Sequence, residues 1–167
     1  MPFRVWPANK RVQGVALLVP ALVAAGLSGR QFLEQRAPFA IAKGPGVTEV
    51  RHLSDYLPGL EGTRGDSEVY VLSGERKGGT ALLLGGTHPN EPAGHVAAVV
   101  VVENVRMEPG RLLVIPRANA SGFTVTDPQE ASPPAFALRM PAGERWFRHG
   151  SRGTSPMDQW PDPDIYL

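Results

Sequence analysis

His88 and Glu91 stand three positions apart in the run Gly85-Gly86-Thr87-His88-Pro89-Asn90-Glu91-Pro92-Ala93-Gly94. An imidazole nitrogen and a carboxylate oxygen are suitable zinc ligands, at bond lengths of ~2.0–2.2 Å. The chain holds no cysteine and only four histidines. Disulfides, thiolate zinc fingers, iron–sulfur clusters and a cysteine nucleophile are therefore excluded, and any metal must sit on nitrogen and oxygen. A His-x-x-Glu pair arises easily by chance, so its setting decides its weight. Gly85 and Gly86 let the chain turn sharply with nothing bulky near an ion. Asn90 could orient a ligand by a hydrogen bond, and Pro92 suits the first turn of a helix.

The elements that must position this pair are legible on both sides of it. Residues 69–72 (Val-Tyr-Val-Leu) read as a strand, followed by a charged, glycine-ended turn at 75–79. Residues 81–84 (Ala-Leu-Leu-Leu) show no alternation and read as a second strand buried on both faces. The short turn makes these two strands antiparallel neighbours. Residues 95–105 are rich in alanine and valine and have the length of a crossover helix. Glu108-Pro109-Gly110 is a turn, and residues 112–115 are a third strand, ended by Pro116. Strand, loop, helix, turn and strand make a βαβ unit with parallel pairing. His88 and Glu91 then lie at the carboxyl end of a strand, where α/β sheets place their sites.

The run from Gly85 to Gly94 resembles the zinc-binding segment of the succinylglutamate desuccinylase/aspartoacylase family, within the zinc carboxypeptidase superfamily. The pattern Gly-Gly-x-His-x-Asn-Glu-x-x-Gly is matched at every defined position, after a hydrophobic strand. Pro116-Arg117-Ala118 is a partial match to a following Asn-Pro turn, with Ile115 in place of the asparagine. The resemblance covers residues 69–123. It implies an α/β fold with a mixed, mainly parallel sheet flanked by helices, a three-layer sandwich of which this chain carries the N-terminal portion. It implies hydrolysis of an amide bond by a zinc-activated water, as in an N-acyl amino acid deacylase or a carboxypeptidase, on a small-molecule or peptide substrate bearing a carboxylate. Zinc is the implied cofactor, with His88 and Glu91 as two of its ligands. A βαβ domain whose loop merely contains His and Glu is the plain alternative.

Other parts of the family pattern are absent. The third ligand is a histidine far downstream, and the only later histidines are His95 and His149. His95 is expected on the helix surface. His149, in a charged loop, is expected to be solvated or substrate-facing rather than a ligand. No Asn-Arg pair occurs, and the general base would lie beyond residue 167, so no catalytic residue is assigned. Trp146-Phe147-Arg148-His149-Gly150-Ser151-Arg152 resembles an arginine-bearing stretch of relatives with an inserted loop. On that footing Arg148 or Arg152 clamps the substrate carboxylate, a task suited to a bidentate guanidinium; otherwise the stretch is a solvated basic face. A self-contained enzyme would need His149 as third ligand and Glu144 or Asp158 as base. The opposite reading is a non-catalytic, membrane-tethered remnant with weak or no metal binding.

Arg4, Lys10 and Arg11 precede sixteen mostly apolar residues, 12–27. That layout is a secretory signal or signal-anchor, although Pro20 should kink it and the run is at the short limit for spanning. Export, with the basic flank left in the cytoplasm, is expected, whether the leader is cleaved or retained; a buried helix is the alternative. This divides the chain into a leader at 1–28, a linker at 29–46 that includes Gly44-Pro45-Gly46, and a hydrolase portion at 47–167. His52 is expected on the surface ahead of the sheet. Within the last portion, residues 117–167 read as a proline-rich, poorly patterned loop, and residues 160–167 as a strand cut in mid-run. Seventeen basic against 16 acidic residues, in 167, leave a net charge of +1, which gives no case for nucleic acid. No phosphate loop, dinucleotide fingerprint or Gly-x-Ser-x-Gly elbow occurs.

Overall fold

The four residues Val69, Tyr70, Val71 and Leu72 are all buried, Leu72 completely. They form the centre of a strand that is paired on both of its edges. The computed structural model describes residues 9–141, 143–156 and 158. Arg4 and residues 160–167, expected above as a basic flank and an interrupted strand, lie outside them.

The chain divides into two compact units, Met1–Ala37 and Pro38–Leu167. In the first, α1 (Lys10–Arg36) is 27 residues long, about 40 Å at 1.5 Å per residue. Asn9 caps it by accepting the Arg11 amide at 2.9 Å. The helix runs unbroken through Pro20 and extends past the expected leader boundary at residue 28. Its mean hydropathy reaches 1.8 over 18 residues, with none of that stretch buried. A long, apolar, exposed N-terminal helix is consistent with a signal sequence or a membrane anchor.

The second unit holds β1 (Val47–His52), β2 (Glu68–Ser73), β3 (Arg76–Leu84), α2 (Pro92–Asn104), β4 (Pro109–Ile115), β5 (Ala135–Met140) and β6 (Gly143–Arg148). Its boundary falls inside the expected linker. Residues 38–46 are docked onto the fold: Ala42 donates its amide to Glu103 at 3.1 Å, and Gly44 and Gly46 pass so close to the end of α2 that a Cβ would strike its carbonyls.

The first four strands form one sheet in the order β1-β2-β4-β3. β1–β2 and β2–β4 are antiparallel and β3–β4 is parallel, where mainly parallel pairing was expected. The parallel part is the βαβ unit β3-α2-β4. β2 and β3 are not hydrogen-bonded neighbours as expected, because β4 lies between them. The reason is local: Gly74 donates to the Gly110 carbonyl at 2.8 Å and Arg76 to that of Glu108 at 3.2 Å, so the short connection steps over the start of β4.

Alternation sorts the sheet. Tyr70, Leu72 and Val114 pack with Ala98 and Val102 of α2, joined by Leu83, Leu112, Val50 and Ile41. β3 is not buried on both faces. It is an edge strand, with Leu82 59% and Leu84 52% exposed. His52 ends β1 rather than preceding the sheet, and is exposed as expected.

The proline-rich region is not without pattern, as had been expected. β5 and β6 pair antiparallel from Ala135↔Arg148 to Met140↔Gly143. Pro133, Pro134 and Pro141 flank these strands without entering them, so no ladder bond is lost. Phe136 and Phe147 stack with centroids 5.6 Å apart. Nη1 and Nη2 of Arg145 donate to the Glu103 carboxylate, which ties the hairpin to α2 and holds the Glu103 carboxyl below its usual range.

Candidate metal and anion site

Beyond the strand ends the β3–β4 pairing continues as a loop-to-loop contact. Gly85 donates to Ile115 at 2.9 Å, and the Ala118 and Asn119 amides donate to Gly85 and Gly86 at 2.8 and 3.2 Å. Gly86 has φ +63°, and a Cβ there would meet the Phe123 ring and the Pro116 carbonyl oxygen, each at 2.8 Å. Only glycine fits that backbone in that space. From this fixed point the chain turns, and the Glu91 amide donates to the His88 carbonyl at 2.9 Å. The closed turn brings the two side chains together. His88 Nδ1 lies 3.2 Å from Glu91 Oε2, and both side chains are open to solvent, 35% and 57% exposed. Two ligands of one tetrahedral zinc at bond lengths of ~2.0–2.1 Å are roughly 3.3 Å apart. The His88–Glu91 separation is close to that spacing and is equally an ordinary hydrogen-bond distance.

The 148–152 segment lies against this loop. A Cβ on Gly150 would be 2.8 Å from Pro89 Cβ and 2.4 Å from the Gly122 carbonyl oxygen. Ser151 donates its amide to Gly122 at 3.1 Å and its hydroxyl to Glu130. So anchored, Arg152 reaches Glu91: Nη1 donates to Oε1 at 3.0 Å. His88, Glu91 and Arg152, drawn from positions 61 or more residues apart in the latter's case, thus meet at one place.

The other expected residues do not join them. Arg148 is 2% exposed and donates to the backbone carbonyls of Pro134 and, at 2.9 Å, Val125. It ties the hairpin to the preceding loop instead of meeting solvent. Arg148→Ala should lower stability by about 3 kcal/mol, from lost charge-assisted bonds and packing, read as a urea midpoint shift. An unchanged midpoint would contradict that role. His149 is half-buried, edge-on to Phe136, and its Nδ1 is buried without a hydrogen-bond partner among the described residues. Glu144 pairs with Arg139, and Asp158 accepts from Ser121 at 2.7 Å. Asn90 Oδ1 is buried without a partner among the described residues. Among the described residues no three His, Cys, Asp or Glu side chains converge.

His95 is not on the helix surface. It is 4% exposed, its Nδ1 is 2.9 Å from the Pro116 carbonyl oxygen, and its ring lies 4.9 Å from that of Phe123. The signal was its spacing with Ala98, Val99 and Val102, all buried, which marks one helix face. Burial pushes the imidazole below its ordinary 6.5, although the bond to Pro116 works the other way. The unfolded chain takes up this proton below about pH 6.5 while the folded chain resists it, so stability is present above that pH and falls as pH drops. Between pH 7 and 5 the wild type should lose more unfolding free energy than His95→Gln. Equal losses would contradict it.

Compared with known protein families, curated proteins and solved structures, the chain matches none.

Proposed function

We propose that this chain carries the metal-binding edge of a zinc-dependent hydrolase that cleaves an amide bond, of the N-acyl amino acid deacylase or carboxypeptidase-like kind. The convergence of His88, Glu91 and Arg152 at the carboxyl end of β3 is the observation that carries this reading. His88 and Glu91 would hold the ion by Nδ1 and Oε2. Zinc bound there would polarise the scissile carbonyl and lower the pKa of a bound water toward ~7. Arg152 supplies the positive charge for a substrate carboxylate, and Gly85 and Gly86 keep side chains away from the ion. A third ligand and a general base would have to come from outside the described residues. The three-layer sandwich such a hydrolase requires would add strands along the open edge of β3 and a helix layer over the face where Leu82 and Leu84 are exposed. The apolar α1 would export the domain or hold it at the outer face of a membrane, as a signal or an anchor.

One observation favours a second reading. Glu91 already has a cationic partner in Arg152, and no third donor meets the pair among the described residues. A tethered remnant with little metal affinity would look the same. Metal analysis of the purified chain separates the two: bound zinc that disappears in His88→Ala and in Glu91→Ala supports the hydrolase, and a zinc-free wild type supports the remnant.

A further inference from the structure

The folded unit is tethered to α1 at one particular end of its sheet. Arg117, two residues past β4, donates to the Phe39 carbonyl at 3.0 Å through Nη1 and to the Glu68 carboxylate at 2.7 Å through Nη2. Glu68 starts β2 opposite His52, the last residue of β1. Phe39 is therefore held at the carboxyl end of β3 and β4, the end that carries the His88–Glu91 turn. α1 stops at Arg36, so only Ala37 and Pro38 intervene, and the three steps to Phe39 span about 10 Å at full extension. Apolar side chains gather at the same end. Phe39 and Trp146, both exposed, line one cleft with His95 and Arg117. The exposed Tyr56 and Leu57 lie just beyond His52. The opposite end closes on the exposed Arg76–Glu108 ion pair.

α1 itself has the dimensions of a membrane span with a short stalk. Residues 12–29 carry no charge. As helix they cover about 27 Å, against about 30 Å of bilayer hydrocarbon. Lys10, Arg11 and Arg30 bracket them, and such long cations reach the headgroups from either edge. The helix does not end with the apolar stretch. It runs on through the Arg30–Glu34 pair, at 2.7 Å, to Arg36. Those six further residues add about 9 Å, enough to cross a headgroup layer of roughly 5–8 Å. A cut after Ala25 would instead leave residues 26–36 as a stub with Phe32 and Leu33 exposed.

We infer that α1 is a retained anchor that rests the domain on the bilayer by the carboxyl end of its sheet, with Phe39, Tyr56, Leu57 and Trp146 against the headgroups. This rests on the membrane reading of α1 above and is independent of the metal site. Aromatic side chains with a polar edge favour the headgroup layer. The tether is too short for the other end to be turned down, because the seven residues of β4 alone set the two ends about 23 Å apart. The partner of this surface is the lipid bilayer, and a ligand of the His88–Glu91 turn approaches along it.

The test uses the full chain in two steps. Intact mass of the chain recovered from carbonate-washed membranes should include residues 1–25. The purified chain is then placed in phosphatidylcholine vesicles that carry a nitroxide on the headgroup, with Trp146 as its sole tryptophan (Trp6→Phe, Trp160→Phe). The nitroxide should quench Trp146 emission severalfold more than that of a far-end probe, Glu75→Trp combined with Trp146→Phe. A chain that begins at Gly26 would overturn the anchor, and with it the membrane half of the functional reading, whatever its zinc content. An intact membrane-bound chain in which both probes are quenched alike, or neither is quenched, would overturn the docked end and leave the anchor standing.

Discussion

Replacing Gly86 by alanine should lower the unfolding free energy by about 2–4 kcal/mol and loosen the loop that brings His88 and Glu91 together. Two costs combine. The backbone at φ +63° lies in the left-handed region, where an L side chain costs roughly 1–2 kcal/mol. The added methyl would also sit 2.8 Å from the Phe123 ring and 2.8 Å from the Pro116 carbonyl oxygen, and overpacking of that kind costs about 1–3 kcal/mol. The ring can shift, whereas the carbonyl cannot move far, because Pro116 O also meets the buried His95. Urea unfolding followed by tryptophan fluorescence gives the magnitude. A change below about 0.5 kcal/mol would mean that Gly86 is not held as described.

That glycine also shows how much of the site could be read in the sequence. A strand, two glycines, His-x-x-Glu and a proline-started helix are all local signals, and each survives in the structure at its expected place. The strands that flank them were harder to place. Whether β2 pairs with β3 or lets β4 between them depends on the contact of Gly74 with residues 108–110 at the start of β4, 34 or more residues away in sequence, and no local pattern carries it. Ala81–Leu84 looked like an interior strand because a continuous apolar run does not say which side of it is covered. The β5–β6 hairpin was hidden by prolines that lie just outside its strands. His95 is expected at the helix surface because polar residues usually are, and Arg148 is expected either to clamp a carboxylate or to be solvated. Both are instead buried against backbone carbonyls, Arg148 bonding those of Pro134 and Val125 and His95 that of Pro116, partners that exist only once the chain has folded. The meeting of Arg152 with Glu91 depends on Gly150 lying against Pro89, a contact between two distant loops.

The largest expected effect is on zinc itself. A site that draws one nitrogen and one oxygen from the described residues has no redundancy among them, so losing either donor should remove most of the affinity. Loss of a hydrogen-bonding partner behind a ligand typically weakens metal binding about 10–100-fold, and loss of His88 or Glu91 as a ligand should exceed that. His88→Ala and Glu91→Ala are expected to bind zinc far more weakly than wild type. His95→Gln and Arg148→Ala, judged at a pH and temperature where they remain folded, should bind zinc as wild type does, because neither side chain reaches the pair.

The most direct test is a calorimetric zinc titration of the full chain beside its His88→Ala variant. One zinc per chain for the wild type, with affinity falling by more than about 100-fold in His88→Ala, is the predicted result. Wild-type binding that is absent, or that survives unchanged in His88→Ala, would contradict the metal site.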